Sequence, residues 1–193
     1  IESIILFNKI DAYSKSDSEQ VDYLRNIYQK IGYECLDISV LKEINIGNVK
    51  KIMKNKISIF TGHSGVGKSS LVNLLDPKLN LKTAKVSEQN EQGQHTTTFA
   101  EMFSLGFGAK IIDSPGIKGF GLIDIEKREL GNYFNEFIPL REDCKFNNCL
   151  HENEPNCAVK IALENGLISK SRYKSYLSML KNEDKNYRTD FWN

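Results

Sequence analysis

The stretch Gly62–Ser69 reads GHSGVGKS. It fits G-x-x-x-x-G-K-[ST], a loop whose backbone N–H groups cradle phosphates, whose lysine reaches the terminal phosphates and whose hydroxyl takes magnesium. Lys68 and Ser69 fill the last two roles. Gly62, His63, Ser64, Gly65, Val66 and Gly67 supply the cradle, and Ser70 sits in the turn that follows. Both flanks agree with this reading. Lys56–Thr61, KISIFT, is a short β-branched run that predicts a buried strand, and Lys68–Leu75, KSSLVNLL, opens a helix whose positive N-terminal end would face the phosphates.

A chain of 193 residues with 40% hydrophobic composition has room for one ordinary domain plus a small appendage, or for two small domains. A net charge of +1 on 26% charged residues gives no global pull towards nucleic acid or membrane, so any basic surface must be local. No apolar run approaches the roughly 20 residues that span a bilayer, and the N-terminus has no signal-peptide character, so a cytoplasmic protein without membrane contact is expected. The sequence starts at Ile1 directly inside an apolar run, so a preceding segment is expected.

Upstream of the loop, Ser3–Phe7, SIILF, predicts a second buried strand, and it ends in Asn8-Lys9-Ile10-Asp11. NKxD at a strand end reads guanine: the Asp11 carboxylate accepts from the ring N–H and the exocyclic amino group, donors that adenine does not offer in that arrangement. Lys9 is expected along the base and Asn8 as the tie to the phosphate loop. Asp17–Ile31 places Val21, Leu24, Ile27, Tyr28 and Ile31 on one face, predicting an amphipathic helix capped at Ser16/Asp17. Tyr33–Ser39 predicts a strand, after which Ser39-Val40 is expected to offer backbone N–H groups to the base carbonyl. Cys35 in that strand reads as a small buried hydrophobe. A helix is expected around Asn45–Lys54.

Downstream, Pro77–Gln94 is polar and weakly periodic, and a loop of that length is usually functional or mobile. It leads through Gln94-His95-Thr96-Thr97-Thr98 into the strand-like run Phe99–Leu105. One of these hydroxyls, Thr97 the candidate, would ligate magnesium when a γ-phosphate is present; the alternative is an ordinary strand entrance. Ala109–Asp113 predicts a strand ending in Asp113-Ser114-Pro115-Gly116, with Asp113 in the magnesium shell and the Gly116 N–H on the γ-phosphate. Ile117 follows where many GTPases carry a water-orienting Gln. His95 is the nearest candidate to position water; packing or RNA contact are its other readings.

These motifs are those of GTPases in a shifted order, with NKxD ahead of the phosphate loop. A doubly wound, mostly parallel sheet tolerates that, because moving the chain break changes connectivity without moving strands. The expected fold is therefore α/β, a circularly permuted P-loop GTPase binding GTP or GDP with magnesium over residues 1–138. A small helical module is expected over 139–193. There Cys144-x4-Cys149-x-His151-x5-Cys157 reads as one structural zinc site. Two helices follow, Cys157–Asn165 and Lys170–Asn182. From Ala158 onward seven basic residues face four acidic ones. Lys170, Arg172 and Lys174 are candidate phosphate contacts, while Tyr173 and Tyr176 either stack on bases or pack the helix.

The order NKxD, GxSGVGKS, HTTT, DSPG, C-x4-C-x-H-x5-C and the RYxSYL helix, taken together, resembles the ribosome small-subunit-dependent GTPase A family (RsgA, also called YjeQ or EngC). The resemblance implies GTP hydrolysis stimulated by the small ribosomal subunit and a role in late subunit maturation through rRNA contact. It assigns the zinc ligands to Cys144, Cys149, His151 and Cys157. It also implies an OB-fold domain ahead of this region. The family's usual basic residue before the switch histidine is Gln94 here. A monomer is expected.

Overall fold

The computed structural model describes residues 1–63, 65–79, 101–113 and 125–181. Ser64, His95, Thr97 and Gly116, with the HTTT run and the Ser114-Pro115-Gly116 turn, lie outside the described residues. The chain divides into two units, residues 1–29 with 33–118, and residues 30–32 with 119–193.

In the first unit, β1 (Ile4–Phe7) crosses over through α1 (Lys15–Lys30) to pair in parallel with β2 (Glu34–Asp37), in the register Ile4↔Glu34 to Phe7↔Asp37. After α2 (Ile46–Met53), β3 (Ile57–Ile59) runs into the glycine-rich loop and α3 (Lys68–Leu75). β4 (Glu101–Leu105) and β5 (Ala109–Asp113) form an antiparallel pair, and β5 lies parallel to β3, giving the order β3-β5-β4. Two of the three described pairings are parallel, and the antiparallel one is at the edge, as in many otherwise parallel α/β sheets.

The core of this unit comes from residues at helical and strand spacing. Ile46, Val49 and Met53 of α2 and Leu71, Val72 and Leu75 of α3 are buried, together with Ile38, Leu105, Ala109 and Ile111. Burying each of these side chains other than Ala109 contributes about 1.5–3 kcal/mol before the entropy of ordering it is counted.

Three expectations are corrected. β3 is not a buried strand: Ile57 is 60% and Ile59 47% exposed, both bordering an open cleft, and among the described residues β3 pairs with β5 alone. α1 starts at Lys15 and its cap is Ser14, not Ser16/Asp17. The Asp17 N–H donates to Ser14 Oγ (3.2 Å) and the Ser14 N–H to the Asp17 carboxylate (2.9 Å), a reciprocal capping box that satisfies two free donors of the first turn. Cys35 is half-buried, its thiol directed at the Tyr33 carbonyl (3.8 Å).

The second unit is built from short 3-10 segments, Leu130–Tyr133 and Ile138–Asp143, followed by α4 (Ala158–Glu164) and α5 (Lys170–Lys181). Its core joins Leu130, Phe134 and Phe137 to Val159, Ala162, Tyr176 and Leu180. Leu130, Phe134 and Phe137, which precede residue 139, belong to this core, with Phe137 fully buried in it.

Candidate functional site

The NKxD segment and the phosphate loop are tied to each other by Asn8 and Lys9. β1 ends at Phe7, and Lys9 takes a left-handed backbone (φ 68°) that turns the chain into a 3-10 turn carrying Asp11. The Asn8 amide is held at both ends: Nδ2 donates to the Val66 carbonyl (2.9 Å), while Oδ1 accepts from the N–H groups of Lys9 (2.8 Å) and Val40 (3.2 Å). Lys9 Nζ donates to the Gly65 carbonyl (2.7 Å). Gly67 closes against this tie: its φ is +102°, and a Cβ there would lie 2.4 Å from Asn8 Nδ2. Glycine is required twice over, for conformation and for space.

Lys68 is the first residue of α3, and its ammonium donates to the carbonyls of Gly62 (2.6 Å) and His63 (2.7 Å) across the mouth of its own loop. Ser69 and Ser70 are half-buried in the first helical turn. A cleft of about 1090 Å³ runs from Asn8, Lys9 and Lys68 along β1 and β3, where Ile57 and Ile59 border it.

Asp11 is exposed, with its carboxylate accepting the hydroxyl of Ser39, which is itself fully buried. That hydroxyl also accepts from the Lys42 N–H (2.9 Å). The expectation that the N–H groups of Ser39 and Val40 face a base is corrected. Ser39 N–H donates to Ile44 O (3.2 Å) and Val40 N–H to Asn8 Oδ1, so Ser39 serves through its side chain, as a prop for Asp11. Tyr13 is a further support that the sequence reading missed. Its hydroxyl donates to the Asn8 carbonyl (2.7 Å), and burial, then the Asp37 carboxylate, pushes its phenol upward. A lone Tyr two residues past Asp11 carries no pattern that would reveal it. Asp113 is the last residue of β5.

In the second unit Cys144, Cys149, His151 and Cys157 are all buried and bring their ligand atoms within 4.8 Å of one another. Cys144 Sγ lies 3.6 Å from His151 Nδ1 and 4.0 Å from Cys157 Sγ, and His151 Nδ1 lies 3.4 Å from Cys157 Sγ. A tetrahedral zinc with Zn–S bonds near 2.3 Å separates its sulfur ligands by about 3.8 Å, so the donor set and its spacing fit that ion. Burial pushes the Cys149 thiol up to about 12 and raises Cys157, while burial and then Arg141 lower His151, a shift towards the neutral form that ligates. Zinc charge is what would convert such thiols to thiolates.

The tyrosines of α5 pack against this cluster. The Tyr176 hydroxyl donates to Leu150 O (2.7 Å) and Tyr173 to His151 O (2.6 Å), and Tyr176 is 1% exposed. Base stacking by Tyr176 is thereby ruled out, and Tyr173 is engaged. Arg172 is corrected likewise: its guanidinium makes two bonds to Glu136 (2.7 and 3.1 Å) and lies over the Phe134 ring. Lys170 and Lys174 remain exposed.

A family model described as RsgA GTPase matches residues 1–123. The small ribosomal subunit biogenesis GTPase RsgA of Flavobacterium psychrophilum is 58% identical over 193 residues, covering 100% of this chain and 59% of that protein. Its counterpart in Flavobacterium johnsoniae is 54% identical over 192 residues, again covering 59% of the relative. Among solved structures, YjeQ from Thermotoga maritima is similar with a TM-score of 0.78 at 36% identity, over 94% of this chain and 59% of that one. YloQ, a circularly permuted GTPase, follows at 0.74 and 29% identity, over 95% of this chain and 57% of that one. The fold is thus that of the circularly permuted GTPases, and the chain spans about 59% of the length of the curated relatives it matches. With the family model covering well over half of its residues, the chain belongs to the RsgA GTPase family.

Proposed function

We propose that this chain is the nucleotide-binding and zinc-binding part of a GTPase that acts in small ribosomal subunit biogenesis. The observation that carries the reading is the tie between base reader and phosphate cradle, Asn8 to Val66 and Lys9 to Gly65, which holds both ends of a guanine nucleotide site in one frame. Asp11, propped by Ser39, accepts from guanine. Lys68 exchanges its two loop carbonyls for the terminal phosphates, and the cradle N–H groups of residues 62–67 surround them. Magnesium, when bound, neutralises charge on the phosphates, and Ser69, Thr97 and Asp113 are the residues that would hold it. Gly116 N–H is assigned to the γ-phosphate and His95 to the attacking water. Because Ile117 stands where a Gln would orient water, intrinsic hydrolysis is slow and a partner must complete the site.

Zinc held by Cys144, Cys149, His151 and Cys157 is a structural ion in this reading, since four protein donors close its shell. The partner proposed is the small subunit with its rRNA, met in the cytoplasm by a monomer. No helix among the described residues is long and apolar enough to cross a membrane. The test is GTP turnover with small subunits, large subunits and free rRNA. Stimulation by small subunits alone is the expected result. Equal turnover in all three would leave a nucleotide-regulated binding module in which hydrolysis is incidental.

A further inference from the structure

The loop that carries the His151 ligand is gripped from both sides by side chains that touch no metal. His151 has a left-handed backbone (φ 56°), a conformation that a non-glycine residue keeps only when its surroundings hold it. On the donor side stands Glu154. One carboxylate oxygen accepts from Leu150 N–H (2.8 Å), and the other from Glu152 N–H (2.9 Å) and Asn153 N–H (3.1 Å). On the acceptor side, Tyr176 and Tyr173 donate to the carbonyls of Leu150 and His151. Between them these three residues satisfy five backbone groups of a four-residue turn.

A turn of this kind, left to itself, would be costly to order around a metal. Three N–H groups gathered over one carboxylate would repel each other without its charge, and Glu154 supplies that anion from within the loop. The bonds also fix the peptide planes on either side of His151, and so the direction in which Nδ1 enters the cluster. None of the three residues contributes a ligand atom, so the effect on the metal is through orientation alone.

Resting on the reading of the Cys3His cluster as a zinc site, we infer that Glu154 is the principal positioning residue of the His151 ligand, setting how long the zinc is retained. Outer partners of metal ligands commonly govern metal affinity by about 10–100-fold. Gln can replace only part of the grip, since its amide nitrogen would face N–H groups, whereas Ala replaces none of it.

The experiment uses the full chain and measures zinc content by elemental analysis, then the rate of zinc transfer to a chromophoric chelator in excess. Wild type, Glu154→Ala, Glu154→Gln and Val159→Ala are compared, the last being a fully buried position of the same core that makes no bond to the 150–153 turn and shows how much zinc release a general loss of stability alone produces. Expected is one zinc per wild-type chain, release at least about tenfold faster in Glu154→Ala, an intermediate rate in Glu154→Gln, and in Val159→Ala a smaller acceleration than in Glu154→Ala for the same loss of melting temperature. A wild-type chain without zinc would sink the metal reading itself. Full zinc in wild type with Glu154→Ala releasing no faster than Val159→Ala would overturn the role of Glu154 alone. If Glu154→Ala does not fold, Glu154→Gln decides: wild-type retention there overturns the proposal, and faster release supports it.

Discussion

Asp11 shows how a single carboxylate depends on the groups around it. It is exposed to the site yet not free to rotate, because the buried Ser39 hydroxyl donates to it. Asp11→Asn replaces an acceptor by a donor where guanine presents N–H groups, and xanthine offers the matching carbonyl. The expected outcome is a loss of GTP affinity of about 100-fold or more with a gain for XTP, read by competition against a fluorescent nucleotide. Unchanged preference would remove NKID as the base reader. The tie from Asn8 to the phosphate loop was legible in the sequence, because it belongs to a residue type at a fixed offset along one strand end, whereas the sequence placed Lys9 along the base and did not announce its bond to the Gly65 carbonyl. Ser39 was legible only as a position. That its hydroxyl, and not its N–H, does the holding depends on the bridge it forms with Ile44, a pairing no local pattern announces. Tyr13 and Glu154 were silent for the same reason: what they hold are backbone groups brought close by turns.

At the scale of elements, α5 carries the clearest lesson. KSRYKSYLSMLK reads as a basic helix face, and three of its cations were expected on phosphate. Arg172 is instead paired with Glu136, thirty-six residues away, at side-chain exposures of 17% and 4%. A partner that distant cannot be inferred from helical spacing, whereas the exposed Lys170 and Lys174 keep the expected character. Removing one member of a buried ion pair leaves the other charged and unpartnered, which costs about 3–5 kcal/mol. Arg172→Ala should therefore destabilise the second unit by that order in denaturant unfolding. A Lys170→Ala/Lys174→Ala double variant should leave stability within about 0.5 kcal/mol and flatten the salt dependence of small-subunit binding by roughly two units of slope. An Arg172→Ala chain as stable as wild type would return that residue to the phosphate contacts. β3 fails in the opposite sense. Its β-branched run gave the strand correctly, but burial depends on which neighbours cover it, and Ile57 and Ile59 border the cleft.

Across the whole molecule, the chain has two cores with different cements. The first is aliphatic, drawn from α2, α3 and the β4–β5 pair. In the second, three of the eleven buried core residues among those described are cysteines of the Cys3His cluster, so that, on the proposed zinc reading, metal binding and folding are coupled there. Unfolding should accordingly show two transitions, because separate cores need not melt together. Chelation should lower the one reported by Tyr173 and Tyr176 and leave guanine-nucleotide affinity unchanged. Acid should act on the same unit through Glu154. Burial alone would raise that carboxyl, but the N–H groups of Leu150, Glu152 and Asn153, with its own, outweigh burial and hold it below its ordinary 4.5. A carboxyl depressed by folding contributes stability above its unfolded value, and that contribution is lost as pH falls through the lower folded value. The difference in melting temperature between wild type and Glu154→Gln should therefore be constant near neutrality and shrink as pH falls below 4.5, followed by near-UV circular dichroism with zinc content measured at each pH so that loss of metal is separated from titration of the carboxyl. A difference that persists undiminished in acid would mean that the charge of Glu154 contributes nothing to the turn, and a single transition moved as a whole by chelation would mean that the two cores melt as one.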